Sequence, residues 1–198
     1  MRITKLRAAE RQIISAVRLL FDGDNAVSVY ALAAAAREVT TALCEKRHTP
    51  SYFDLVQKQY PSLPRKEMYR LAHRHARFFK HADTDPERTL TGFEADEADS
   101  VLFIATFDFG KLCGGKPVEA QVFEAWFLTI HLAPADVPPR LNDLFPNLRK
   151  MGRANQLRLG RAVLEWARNV PEFHMTYSTA ARAKKRRRQV ARQRKSAA

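Results

Sequence analysis

Val101-Leu102-Phe103-Ile104-Ala105-Thr106-Phe107 is the stretch that decides the fold. It lies within a segment from about Glu94 to Leu112, and its apolar residues cover nearly every side of a helix instead of one stripe. A helix of that kind belongs at the centre of a bundle. Gly114 and Gly115 stop it, Pro117 suits the first position of the next helix, and Val118, Val122, Ala125, Trp126 and Thr129 mark that helix's packing face.

Toward the N-terminus, Leu6, Ala9, Ile13, Val17 and Leu20 recur at three- and four-residue steps with basic residues between them, an amphipathic helix that ends near Phe21-Asp22-Gly23-Asp24-Asn25. Ser28 is the expected N-cap of a second helix through Val29, Leu32, Ala36, Val39 and Leu43. A shorter helix follows from about Ser51 to Tyr60. Pro61 and Pro64 then break the chain before an Arg/His-rich helix, roughly Arg65 to Ala82. Beyond the central pair, residues 133–154 carry four prolines and read as a connector with one short helix. A last helix, about Asn155 to Asn169, is expected to pack Leu159, Ala162, Val163 and Trp166. No strand, repeat or hairpin signal is present. The expected architecture is all-α, a single bundle of about six main helices over residues 1–179, with a disordered basic tail over 180–198.

The chain has 198 residues and a formal net charge of +13, but that charge is not evenly spread. Nine basic residues fall between Arg182 and the C-terminus, namely Arg182, Lys184, Lys185, Arg186, Arg187, Arg188, Arg192, Arg194 and Lys195, with no acid among them. Removing those nine leaves 25 basic against 21 acidic residues, about +4, an ordinary value for a soluble domain. Cys44 and Cys113 have no disulfide-like spacing, and the charged first residues leave no apolar run of the signal-peptide kind. The apolar runs near Ala31–Ala36 and Val101–Phe107 fall short of the roughly 20 residues that span a bilayer. The expected location is the cytoplasm, with no membrane partner.

The densest chemistry lies in Arg70-Leu71-Ala72-His73-Arg74-His75-Ala76-Arg77-Phe78-Phe79-Lys80-His81-Ala82-Asp83. On one regular helix, Met68, Leu71, Ala72, His75, Phe78 and Phe79 share a face, whereas Lys66, Arg70, Arg74, Arg77 and His81 lie along another. His75 is then a core histidine. His81 sits among the arginines beside Asp83, where a carboxylate can orient its ring. Guanidinium groups pair with phosphate oxygens and imidazole passes protons near neutral pH, so this ridge suits a phosphate ester. The competing reading is a solvated basic face whose arginines pair with acids on neighbouring helices. His73 and His75 project about 200° apart and cannot chelate one metal. No metal and no cofactor is expected.

Phe78-Phe79-Lys80-His81-Ala82-Asp83 with Asp85-Pro86, and the opening Ile3-Thr4-Lys5-Leu6 with Ala8-Ala9-Glu10-Arg11, resemble a group of small, uncharacterised bacterial proteins over roughly the first 113 residues. That resemblance brings no activity with it. Arg74 to His81, with six residues between, is similar to the Arg-x(4 to 6)-His pattern of the HEPN superfamily, helical-bundle proteins that include metal-independent ribonucleases and toxins. The resemblance implies that Arg74 stabilises a phosphate and His81 transfers a proton, in a cleft between two subunits of a homodimer. Arg77, Asp83 and Asp108 are the supporting residues. Arg70–His75 and Arg168–His174 meet the same spacing, so placement on the polar face, not spacing, singles out Arg74 and His81.

Gly110 to Lys116 satisfies the first seven places of a P-loop, but Pro117 stands where Ser or Thr would hold magnesium, and a helix, not a strand, precedes it. It reads as a helix-ending loop. Asp108, between Phe107 and Phe109, is expected to be buried and to need a partner, with an Arg or His of segment 70–81 as the candidate. The tail is the strongest binding signal. Full engagement of a single strand by nine cations gives a log-log salt slope of about −6, from roughly 0.7 per contact. It has no aromatic residue between Arg182 and Ala198, so neither base stacking nor sequence selectivity comes from it. Two functions remain open. One is an RNA-associated protein, RNA preferred to DNA, with HEPN-like ribonuclease activity at Arg74 and His81, and with Arg70 and the tail cations binding nucleic acid. The other is a non-enzymatic helical protein-interaction module with a polyanion-binding tail.

Overall fold

α6 (Ala95–Cys113) is buried on most of its circumference, with the first, second and seventh helices of the chain packed against it. The structure, a computed structural model, describes residues 2–23, 25–80, 83, 85–171 and 173. Among these it contains no strand and nine α-helices: α1 (Lys5–Asp22), α2 (Ala26–Lys46), α3 (Tyr52–Gln59), α4 (Arg65–Ala72), α5 (Ala76–Lys80), α6, α7 (Val118–His131), α8 (Pro139–Leu144) and α9 (Arg153–Arg168). The all-α expectation holds.

Local chemistry explains most boundaries. Thr4 caps α1 by accepting from Arg7 N–H, and Gly23 closes it in the left-handed conformation at φ 77°. Ser51 and Asp54 form a reciprocal capping box at the start of α3. Asn25, not Ser28, caps α2: its side chain accepts from Val27 N–H, and Ser28 lies inside the helix.

α2 and α6 form the principal packing pair. Thr41 meets Asp108 at one end and Tyr30 meets Phe93 at the other, so the two helices run in the same direction. α2 is long and apolar enough by length and composition to cross a membrane, a property that a count of consecutive apolar residues misses. In this fold it is packed against α1 and α6, with Ala33, Ala34, Ala36 and Arg37 buried. Glu119 of α7, buried, receives both Arg18 of α1 and Arg168 of α9 at 2.7 and 3.0 Å, which ties three helices to one carboxylate.

Arg65 to Ala82 is not one helix: α4 ends at Ala72, and α5 begins at Ala76 after a turn through His73, Arg74 and His75. Leu71, assigned to the apolar face, is half exposed. The buried stripe of α9 is Gly160, Val163, Leu164 and Ala167, one residue out of phase with the expected one, so that Trp166 is 53% exposed. Gly160 lies directly against the Phe21 ring, with no room for a Cβ. Small residues on this stripe bring α9 close to α1, which a tryptophan facing α1 would prevent.

Candidate functional site

The break between α4 and α5 organises the Arg/His segment. Tyr30 of α2, 1% exposed, inserts its hydroxyl between the two helices, accepting from His75 N–H at 3.3 Å and donating to the Ala72 carbonyl at 3.4 Å. It thereby meets backbone groups that a continuous helix would have paired internally. The His73 ring turns back so that Nδ1 lies 2.8 Å from the Tyr69 carbonyl. A carbonyl only accepts, so Nδ1 carries a proton.

With the helical phase interrupted, the cations do not form one ridge. Arg70 pairs with Glu67 on its own helix at 2.5 Å. Arg74 sits in the turn, half exposed, with Nη1 3.9 Å from Glu97 Oε1 of α6. Arg77 is exposed, and Lys80 pairs with Glu38 of α2 at 3.0 Å. Asp83 is exposed. His81, the expected proton-transfer residue, lies outside the described residues, as do Arg182, Lys184, Lys185, Arg186, Arg187, Arg188, Arg192, Arg194 and Lys195.

His75 is buried as the sequence predicts, against the rings of Tyr30 and Phe93, with Nε2 3.0 Å from Glu97 Oε2. Nε2 has no hydrogen-bond partner among the described residues. A ring 2% exposed is out of reach of a polynucleotide. Beside this pair, α3, α4 and α6 enclose a cleft of about 310 Å³ lined by Tyr52, Phe53, Met68, Leu71 and Ile104, with Glu97 and Ser100 supplying its polar side. Its walls are mostly apolar, and its one charged lining residue, Glu97, repels a phosphate.

Asp108 is fully buried, as expected, but its partners differ from the expected ones. It accepts from Thr41 Oγ1 at 2.8 Å and from Tyr52 N–H at 2.6 Å, and not from the described residues of segment 70–81. The carboxylate thus ties α2 and α6 together and meets an otherwise unpaired N–H at the start of α3. Burial pushes the Asp108 carboxyl above its ordinary range, an effect opposed by these two hydrogen bonds. Burial also pushes the nearby Cys44 thiol up to about 12, which makes it unreactive. The supporting role given to Asp108 is therefore a structural one.

The sequence reading missed Tyr30, Arg37, Glu38 and Glu97. Arg37 is 0% exposed, one turn before Thr41, and burial lowers its pKa. The one available signal was its position, with Ala33 and Thr41 four residues to either side on what is a buried face. Lys116, the lysine of the P-loop-like string, pairs with Glu124, in keeping with a helix-ending loop. No group of three or more His, Cys, Asp or Glu among the described residues is arranged to hold a metal ion.

No protein-family model, curated protein or solved structure matches the chain.

Proposed function

We infer that this protein is a non-enzymatic helical module that associates with RNA through its basic C-terminal segment. The observation that carries this reading is where the unmatched positive charge lies. In the helical part, many of the cations are set against acids: Arg65 with Asp54 and Glu45, Arg153 with buried Asp99, Arg18 and Arg168 with Glu119, and Arg88 with Asp85. From Arg182 onward, nine cations are accompanied by no acid at all. Each phosphate neutralised there releases a condensed counterion, which favours a polyanion of any sequence.

The ribonuclease reading drew on Arg74 and His81 sharing one helical face. Arg74 lies in the interruption at residues 73–75, beside Glu97, and His81 lies outside the described residues. The proposed binding mode needs neither a catalytic pair nor a dimer cleft.

The test is RNA binding by the full chain and by a chain ending at Thr179, over a range of salt. The full chain is expected to show a log-log slope of about −6, and the shortened chain to lose most salt-sensitive affinity. Retained affinity with the same slope would refute the proposal, as would metal-free, contaminant-controlled cleavage of RNA that His81→Ala abolishes.

A further inference from the structure

We propose that Trp166 on α9 is a stacking platform for a base of single-stranded nucleic acid, acting together with the basic segment that follows it; this rests on the reading above and adds the site and the strandedness of the ligand. The chain has two tryptophans, and they are placed oppositely. Trp126 is 0% exposed and donates its indole N–H to the Gln156 carbonyl at 3.0 Å, a core residue with its polar group satisfied. Trp166 is 53% exposed, although the apolar residues of its helix would have placed it in the core.

Its surroundings suit a base. One turn to either side stand Ala162 and Asn169, both exposed. The first is small, and the second donates its side-chain amide back to the Glu165 carbonyl at 2.8 Å. Arg158, two turns earlier, is exposed and hydrogen-bonds the neutral amide of Asn155 instead of a carboxylate, so its charge is available to a phosphate. The indole and the Phe173 ring meet in a T-shaped contact, with ring centroids 5.7 Å apart and an interplanar angle of 89°, and about half of the indole's surface stays open to other partners.

Phe173 fixes the chain nine residues before the basic segment. It is buried, and its carbonyl accepts from Gln121 Nε2 of α7 at 3.4 Å, so the chain is held against the bundle beside the indole immediately before residue 174. Arg182 follows nine residues later and can be no farther than about 32 Å from Phe173, the span of a fully extended chain. A strand whose phosphates are neutralised by this segment is within reach of the indole. The segment from Arg182 supplies charge without an aromatic, and α9 supplies an aromatic that needs charge beside it. Every base has a π-face, so this arrangement selects unpaired bases over paired ones without reading sequence.

Trp126 is enclosed, so quenching of tryptophan emission on binding reports Trp166. Full-length protein is titrated with oligo(U), oligo(dT), a duplex RNA and polyphosphate, the last being a polyanion without bases. Oligo(U) and oligo(dT) are expected to quench, whereas the duplex and polyphosphate bind with little quenching. Trp166→Ala should lower oligo(U) affinity by roughly five- to 150-fold, the range measured for loss of one stacked base. It should leave the salt slope and polyphosphate affinity unchanged, and Trp166→Phe should recover most of the loss. Circular dichroism of both variants checks that the bundle is intact. Unquenched oligo(U) binding, with equal affinity for Trp166→Ala and the parent, would overturn the stacking site while leaving the charge-driven association standing, and would assign the exposed indole to a protein contact. If neither polyphosphate nor oligo(U) binds, the association itself fails and the stacking site with it.

Discussion

Replacing Arg37 by Met is expected to stabilise this protein. The Arg37 side chain is 0% exposed, and its Nε and Nη2 have no hydrogen-bond partner among the described residues. A buried polar group left unsatisfied costs about 1–3 kcal/mol, so the two together cost about 2–6 kcal/mol. Two attractions oppose this cost. Glu38 Oε1 lies 3.8 Å from Nη2 but on a side chain 40% exposed, and a pair so placed contributes about 1 kcal/mol or less. Asp108 acts only at longer range, its oxygens already engaged by Thr41 and Tyr52. Methionine is unbranched, keeps most of the alkyl packing and carries no charge to desolvate. The net gain is expected to be about 1–4 kcal/mol, as for other buried charges replaced by apolar residues of similar volume. For a chain of this length that raises Tm by about 2–4 °C per kcal/mol. Urea unfolding at neutral pH, followed by circular dichroism, measures the change directly. Arg37→Ala serves as a control: it removes the same charge but leaves a cavity, and should be less stable than Arg37→Met. An Arg37→Met protein less stable than the parent by more than about 1 kcal/mol would show that the guanidinium has a stabilising partner, and the reasoning would be wrong.

Two more substitutions examine the packing described above. Burial raises the Asp108 pKa, so the native state holds that proton more tightly than the unfolded chain does; the stabilisation is complete below the unfolded value, about 3.9, and is lost as pH rises through the folded one. The stability of Asp108→Asn relative to the parent should therefore increase as pH rises from about 4 toward neutrality, and a difference independent of pH across that window would contradict the assignment. Gly160→Ala places a Cβ against the Phe21 ring and should destabilise by about 1–3 kcal/mol. Phe21→Leu in the same chain should recover part of that loss, and simple additivity of the two changes in thermal unfolding would argue against the contact.

The sequence marked helices well where a local rule was sufficient. α6 is apolar on nearly every side and was legible as the central helix, because such a helix has no face to give to water. The helix boundaries at Ser51 and near Gly23 were legible for the same reason, since the capping box and the left-handed turn that set them each involve residues within one turn. The burial of His75 also followed from its neighbours, although the helix on which it was placed is interrupted.

The candidate site was less legible because its geometry depends on residues far away in the chain. Tyr30 lies more than forty residues before the α4–α5 break whose backbone groups it satisfies. Glu38 and Glu97, which receive Lys80 and Arg74, come from α2 and α6. Hydrophobic periodicity carries no information about such partners.

By itself, then, the chain's sequence determined that this is a helical protein built around α6, and that its surplus positive charge begins at Arg182; both are sums over neighbouring residues. Tertiary structure alone decided which face of α9 turns inward. Counting large apolar side chains put Trp166 in the core, but the small stripe through Gly160 and Ala167 packs inward and turns the indole toward solvent. Close packing between two helices depends on the shape of the surface each presents to the other, and that shape is a property of the pair.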